Sequence, residues 1–270
     1  MICNKINAYL SSKDPKAIDP KIVYEIEKLS GVSFTRQFLT NDVETTAGKL
    51  RPSSAGRCPR QQAYAYHGFE KKGKEIDSRA KLIFWAGDLT EMTLLSLAKA
   101  AGCCVFATGF NQIRLPVKFN GTEITGHPDG LLLHEGEIYL IEVKSMSSYG
   151  FEKFERGEID ESYLAQVNLY LDALALDKCL FLAQNKDSGV INERILTRDP
   201  EIVAKAKANL MTVINSTKEK LPPPPPEYGP DTKGYYYWIC RYCAWFQVCR
   251  PNAELVLVKN SYKLAEKKDS

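Results

Sequence analysis

Residues 126–145 read GHPDGLLLHEGEIYLIEVKS. The run is rich in Leu, Ile and Val, as a core segment should be, yet it carries Asp129, Glu142 and Lys144. A buried charge is costly unless it is paired or holds a metal. Glu135-Gly136 is a turn signal between two apolar runs. With these two residues as a hairpin loop, Leu133 faces Ile138 and Leu131 faces Leu140. The same register sets Asp129 across from Glu142, and strand alternation puts Glu142 and Lys144 on one face. Glu is not ideal where the turn needs positive φ, and a one-residue bulge would shift the pairing.

Two carboxylates brought together repel unless a cation lies between them. Hard oxygen ligands suit Mg2+ or Mn2+. A lysine beside them orients or activates a water, or stabilises negative charge in the transition state. That is equipment for metal-assisted phosphodiester hydrolysis. The alternative is an ordinary hairpin with its charges at a solvated end, and E-x-K alone is too short to decide between the two.

Working outward, 270 residues suit one large domain, or one domain with a small appendage. The chain is 44% hydrophobic and 26% charged, enough core to argue against wholesale disorder. A net charge of +3 points to no partner by itself; a nucleic-acid protein of this balance would have to gather its basic residues on one face. Local clusters are Arg57 with Arg60, Lys71-Lys72 with Lys74, and Lys267-Lys268; for the last two a solvated face is the simpler account. No apolar stretch is long enough for a membrane span. The start, MICNKINAYLSSKDP, has no apolar leader core, so a cytoplasmic protein is expected.

Residues 19–31 predict a short helix, with Asp19 as cap, Pro20 in the first turn and Gly31 as stop. Ile22, Val23, Ile26 and Leu29 share one of its faces. Residues 32–52 look irregular. A second helix starts near Ser54 and ends at Gly68, and residues 77–102 predict a long one between Asp77 and Gly102. Gly87 inside it costs about 1 kcal/mol against Ala, which suggests close approach of a backbone or a ligand. Strands are expected at 103–108, 111–119, 178–184 and 190–196, and helices at 147–157, 160–176 and 200–218. The proline run 222–226 is a stiff linker before the aromatic and cysteine-rich YYYWICRYCAWFQVC. The order gives an α/β fold with a mixed central sheet flanked by helices.

Eight cysteines in a cytosolic chain call for an account other than disulfides. Four form a pattern: Cys58, then Cys240-x2-Cys243-x5-Cys249, with the first 182 positions upstream. Four thiolates suit structural Zn2+ or a 4Fe-4S cluster. Cys103, Cys104 and Cys179 sit in apolar strand contexts and read as small core residues.

Pro128-Asp129, twelve residues, then Glu142-Val143-Lys144 resembles the core signature of the PD-(D/E)XK nuclease superfamily. Gln166 and Tyr170, in QVNLY, match the Q-x-x-x-Y element of its RecB-like exonuclease branch, and at i, i+4 they share a helix face. Gly87-Asp88-Leu89-Thr90-Glu91 resembles the branch's G-x-x-x-H or G-x-x-x-E element, with Asp88 a weaker alternative to Glu91. The segment S-x-x-x-R-C-P-R-Q-Q-A-Y at 53–64 and the later cysteines resemble the iron staple of the RecB-like and CRISPR-associated exonucleases.

The resemblance covers roughly residues 53–250. It implies a restriction-endonuclease-like core with Mg2+ or Mn2+ held by Glu91, Asp129, Glu142 and Val143, and with Asp129, Glu142 and Lys144 catalytic. It implies a 4Fe-4S cluster on Cys58, Cys240, Cys243 and Cys249 rather than zinc. Gln166 and Tyr170 would position DNA, and Arg57 and Arg60 are candidates for phosphate contact. The implied function is a metal-dependent exonuclease on single-stranded DNA or DNA ends, in recombination, repair or CRISPR adaptation. The rivals are an endonuclease and a non-catalytic binding module that keeps the cluster. The expected division is a helical extension at 1–52, the nuclease core at 53–221, a proline linker and cluster segment at 222–250, and a tail at 251–270.

Overall fold

The computed structural model describes residues 1–12, 18–39, 47–71, 78–119, 122–259 and 261–267. Asp77, expected to cap the long helix, and the basic residues Lys72, Lys74 and Lys268 lie outside the described residues.

In chain order the elements are α1 (Ile2–Ser11), α2 (Pro20–Phe34), α3 (Pro59–Tyr66), α4 (Ser78–Ala100), β1 (Cys104–Phe106), β2 (Leu115–Phe119), β3 (Thr122–Gly126), β4 (Gly130–His134) and β5 (Glu137–Met146). There follow α5 (Ser148–Glu155), α6 (Glu161–Leu174), β6 (Lys178–Asn185), β7 (Ile191–Thr197), α7 (Pro200–Ile214), α8 (Phe246–Cys249), β8 (Ala253–Val258) and β9 (Ser261–Glu266).

Five strands form one mixed sheet in the order β1-β4-β5-β6-β7. Only β5 and β6 run parallel; the other pairs are antiparallel. The crossover between the parallel pair is α5 and α6, as such a connection requires. Alternation then sorts the strand side chains. Leu132, Ile141, Val143, Leu180 and Leu182 face α1 and α4, where Ile6, Leu94 and Ala98 meet them. Leu131, Leu140, Phe181 and Ala183 face α5 and α6, where Phe154, Val167 and Leu171 meet them. Both faces of β5 and β6 are therefore covered, which is why these strands are continuous apolar runs.

The β4–β5 hairpin has the expected register, Leu133 opposite Ile138 and Leu131 opposite Leu140. Its turn residues Glu135 and Gly136 both have positive φ, +52° and +81°. The geometry is that of a primed turn whose twist matches the strands.

Several elements differ from expectation. Gly31 does not stop α2: the helix runs on to Phe34 and a π-helical turn follows at Thr35–Leu39. Gly31 has no positive φ there, so nothing in the backbone ends the helix. Asp19 does cap it, its side chain accepting from the Lys21 amide at 2.9 Å. α1 was not foreseen; its first amides, on Ile2 and Cys3, donate to the Glu193 carboxylate at 2.8 and 3.1 Å. α7 stops at Ile214, four residues short of the expected end. Residues 122–126 form a strand, and residues 253–266 a hairpin, that the sequence pattern did not reveal. Cys104 is exposed rather than core, because β1 is an edge strand with its middle residue alone turned inward.

The chain divides into two compact units. The first comprises Met1–Val43, Arg51–Gly56 and Ser78–Lys207 and holds the five-stranded sheet. The second comprises Glu44–Leu50, Arg57–Asp77 and Ala208–Ser270. Cys58 belongs to the second unit together with the three late cysteines. There Trp245 stacks near Tyr64, with ring centroids 6.3 Å apart, and its indole donates to the Phe69 carbonyl at 3.0 Å. Among the described residues no helix is long and apolar enough to cross a membrane.

Candidate active site

β4 ends at Gly130, one residue short of the ladder that would pair Asp129 with Glu142. Asp129 instead sits in a bend, and its Oδ2 accepts the Val143 amide at 2.7 Å. The side chain thus takes the backbone donor that a longer β4 would have used. The next residue along β5, Glu142, is 1% exposed and points to the α6 face. Its Oε1 accepts from Gln166 Nε2 at 2.9 Å and pairs with the Lys144 ammonium. Its Oε2 is buried and, among the described residues, without a hydrogen-bond partner. Glu91, on α4, approaches from the other side of the sheet and accepts from Gln112 Nε2 at 3.0 Å. Glu91, Asp129, Val143 and Lys144 line one cleft of about 490 Å³ in the first unit.

The electrostatics match that crowding. Burial first, then Glu142 and Glu91, pushes Asp129 well above the usual carboxylate range. Burial, Glu142 and Asp88 push Glu91 up to about 7. Burial works against the Lys144 ammonium, but Glu142 and Asp129 outweigh it and hold the group above its ordinary range. The Tyr163 ring adds a cation–π contact with Lys144, 5.3 Å from its centroid. Two carboxylates raised by burial and by their acidic neighbours, beside a third with one buried oxygen unpartnered among the described residues, form a donor set that suits a hard divalent cation. Among the described residues, no three His, Cys, Asp or Glu side chains stand already gathered as a metal-binding group.

Gln166 and Tyr170 do share the expected face of α6, but that face is turned inward. Gln166 holds Glu142, and the Tyr170 hydroxyl donates to the His127 carbonyl at 3.3 Å. Both side chains are buried, so they brace the Glu142 carboxylate and the segment before Asp129 instead of reaching outward to a strand. Gly126 permits this: a methyl there would meet the Tyr170 ring at 2.7 Å and Pro52 at 2.9 Å. Asp88, the weaker alternative on α4, lines the same cleft, but its carboxylate accepts from Ser33 Oγ at 2.5 Å and from Arg36 at 2.6 Å. Gly87 lines the cleft, and a methyl on it would enter open space, so no backbone approaches it. Gln112, Tyr163 and the cleft-lining Arg79 and Lys186 were not foreseen. None belongs to a periodic apolar pattern or a short motif, so the sequence offers no signal for them.

In the second unit Cys58, Cys240, Cys243 and Cys249 line a single pocket. None is in a disulfide. Burial, then the neighbouring Cys58 and Cys243, raises the Cys240 thiol to about 12; burial chiefly raises Cys243 to about 11. Arg57 is exposed, while Arg60 donates to the Tyr64 hydroxyl at 3.1 Å.

A model of the PD-(D/E)XK nuclease superfamily matches residues 51–250, most of the chain. The chain belongs to that superfamily. The five-stranded mixed sheet flanked by helices is its restriction-endonuclease-like core. The crystal structure of SSO0001 is similar to this nuclease-family chain with a TM-score of 0.52 at 17% identity, over 83% of this chain and 95% of that one. The alkaline exonuclease LHK-Exo from Laribacter hongkongensis, in complex with dAMP, gives 0.45 at 17% identity over 63% and 89%. A second structure of that exonuclease gives 0.39 at 16% identity over 62% and 89%. No curated protein matches the sequence significantly.

Proposed function

We propose that this superfamily member is a metal-dependent DNA exonuclease, acting in the cytoplasm on single-stranded DNA or DNA ends. The observation that carries the reading is the cluster of Glu91, Asp129, Glu142 and Lys144 at one end of the hairpin, with Glu142 Oε2 buried and unpartnered among the described residues. Glu91, Asp129, Glu142 and the Val143 carbonyl would hold Mg2+ or Mn2+. When bound, such an ion would neutralise the scissile phosphate and lower the pKa of a water. Asp129 is fixed by the Val143 amide and Glu142 by Gln166, so two ligands are oriented before any substrate arrives. Lys144 is held charged by Glu142 and acts as a cation, orienting the attacking water and stabilising charge that develops on the phosphoryl oxygens. Gln166 and Tyr170 act through the groups they hold. Arg57 is exposed and the better placed to meet a phosphate; Arg60, tied to Tyr64, is the lesser candidate.

In the second unit, Cys58, Cys240, Cys243 and Cys249 would hold a 4Fe-4S cluster. Support comes from four free thiols that line one pocket although 182 positions separate the first two in sequence. A cluster there would take the thiols as thiolates and tie two of the unit's segments together, Arg57–Asp77 and Ala208–Ser270.

The test is incubation of end-labelled linear DNA, single-stranded and duplex, and of a closed single-stranded circle, with Mg2+ or Mn2+ and an EDTA control. Metal-dependent loss of the linear strand with survival of the circle supports the reading. Cutting of the circle makes the protein an endonuclease, and an intact linear strand under every metal condition makes it a non-catalytic module.

A further inference from the structure

The catalytic reading leaves unused a continuous run of aromatic rings on the second unit. Tyr228 and Tyr237 stack with centroids 4.8 Å apart, Trp238 follows Tyr237 at 5.9 Å, and Tyr242 meets Trp238 at 6.2 Å. Tyr237, Trp238 and Tyr242 are 40%, 57% and 64% exposed. Burial of such rings is among the largest gains available to a fold, so three exposed in one run mark a surface with a partner. The run is held in place. The Arg241 guanidinium lies 4.4 Å from the Tyr242 ring centroid, and it donates to Ser261 Oγ at 3.0 Å and to the Tyr262 carbonyl.

Charge selects the partner. The second unit has fifteen Lys and Arg against ten Asp and Glu, an excess of five. The whole chain has 36 against 33, an excess of three, so the first unit is net negative. The positive charge is thus concentrated on the unit that bears the exposed rings. Rings that offer π-faces beside Arg241, on a basic unit, suit a polyanion with flat unpaired bases.

We propose that Tyr237, Trp238, Tyr242 and Arg241 form a binding platform for single-stranded nucleic acid. Bases stack on the rings and phosphates meet Arg241 and the unit's other cations. A duplex, whose bases stack on one another, does not satisfy the rings. The platform belongs to the second unit and the carboxylate site to the first, and the proposal does not rest on the nuclease reading.

The test uses the full chain in EDTA, so that no cleavage intervenes. A labelled oligothymidylate is titrated against wild type, Trp238→Ala, Tyr242→Ala and Trp238→Phe, with the same-length duplex as competitor. Losing a stacked ring should weaken single-strand binding by roughly tenfold, whereas Trp238→Phe keeps most of it. The duplex should compete poorly, and the oligonucleotide should quench wild-type tryptophan fluorescence much more than that of Trp238→Phe. Equal melting temperatures confirm that the exposed substitutions leave the fold intact, and the wild-type quenching reads the platform without any variant. Unchanged affinity in both alanine variants, or wild-type fluorescence indifferent to the oligonucleotide, overturns the proposal. So does a change in self-association with binding intact, which would make the rings a protein interface. A protein that cleaves nothing yet binds through Trp238 sinks the nuclease reading alone.

Discussion

Glu142 shows how one side chain couples fold to chemistry. It sits where strand alternation demands an apolar residue, and its burial is tolerable because Lys144 and Gln166 take one oxygen. Removing Gln166 leaves the Lys144 ion pair but deletes a buried hydrogen bond to a charged group, which costs roughly 1.5–3 kcal/mol in typical cases. Gln166→Leu should therefore destabilise the metal-free protein in urea and also reduce turnover, while Gln166→Glu should abolish activity by like-charge repulsion. A Gln166→Leu variant with wild-type stability and rate would remove the bracing role. Glu91 gives a second prediction. Its pKa rises from an ordinary 4.5 to about 7 through burial first and then Glu142 and Asp88. On raising the pH, the unfolded chain releases that proton earlier than the folded one. The contribution is present below about 4.5 and is lost as the pH rises through about 7. Melting temperatures in EDTA should fall across that window, and Glu91→Gln should flatten the fall. In Glu91→Ala, activity should drop with Mg2+ and recover in part with excess Mn2+, which is less demanding of geometry. Indifference of that variant to the metal supplied would remove Glu91 from the site.

At the scale of elements, the β4–β5 hairpin was legible because three local signals agree: a two-residue turn, period-two alternation, and charges confined to its open end. Asp129 was expected as a ladder partner of Glu142, whereas the ladder closes at Gly130 and Ile141 and leaves Asp129 just beyond it. Sequence alternation cannot show that β4 stops at Gly130 and that a side chain then takes over the backbone ladder. The inward turn of Gln166 and Tyr170 was hidden for a similar reason, since i, i+4 spacing gives a shared face but not what the face meets. β3 was missed because its residues, TEITG, alternate weakly, and the C-terminal hairpin because its outer face is aliphatic. Two substitutions test the element geometry. Glu135→Gly should stabilise the protein by about 0.5–1 kcal/mol in chemical denaturation, because the residue already holds φ at +52°. Gly126→Ala should destabilise by about 1–3 kcal/mol through overpacking against Tyr170 and Pro52. It should also lower activity by displacing the segment that leads to Asp129, and neutrality in both readouts would contradict the packing described.

For the whole molecule, the cysteine pattern was readable as far as proximity: the three thiols of C-x2-C-x5-C and the distant Cys58 line one pocket. The two-unit division was not readable, since Arg57–Asp77 leaves the first unit and joins residues from beyond position 208. Cross-linking so long a loop is worth several kcal/mol in the chain-entropy picture, roughly 4–5 for a hundred residues or more. Cys243→Ala should accordingly express poorly or melt early and lose its metal. Anaerobically purified protein should be brown and contain iron, with visible absorption that bleaches on reduction. One tightly held zinc in a colourless protein would keep the ligand set and refute the cluster. A stable, active, metal-free second unit would refute both.

The central claim is that the hairpin end performs phosphodiester hydrolysis, and Lys144→Ala measures it most directly when cleavage and binding are read on the same preparation. The proposed mechanism has Lys144 act in the chemical step, so cleavage of a linear strand with Mn2+ should fall by at least about a hundredfold. Binding of that strand in EDTA should change little, because phosphate contacts elsewhere set affinity. Cleavage by Lys144→Ala at the wild-type rate would contradict the account.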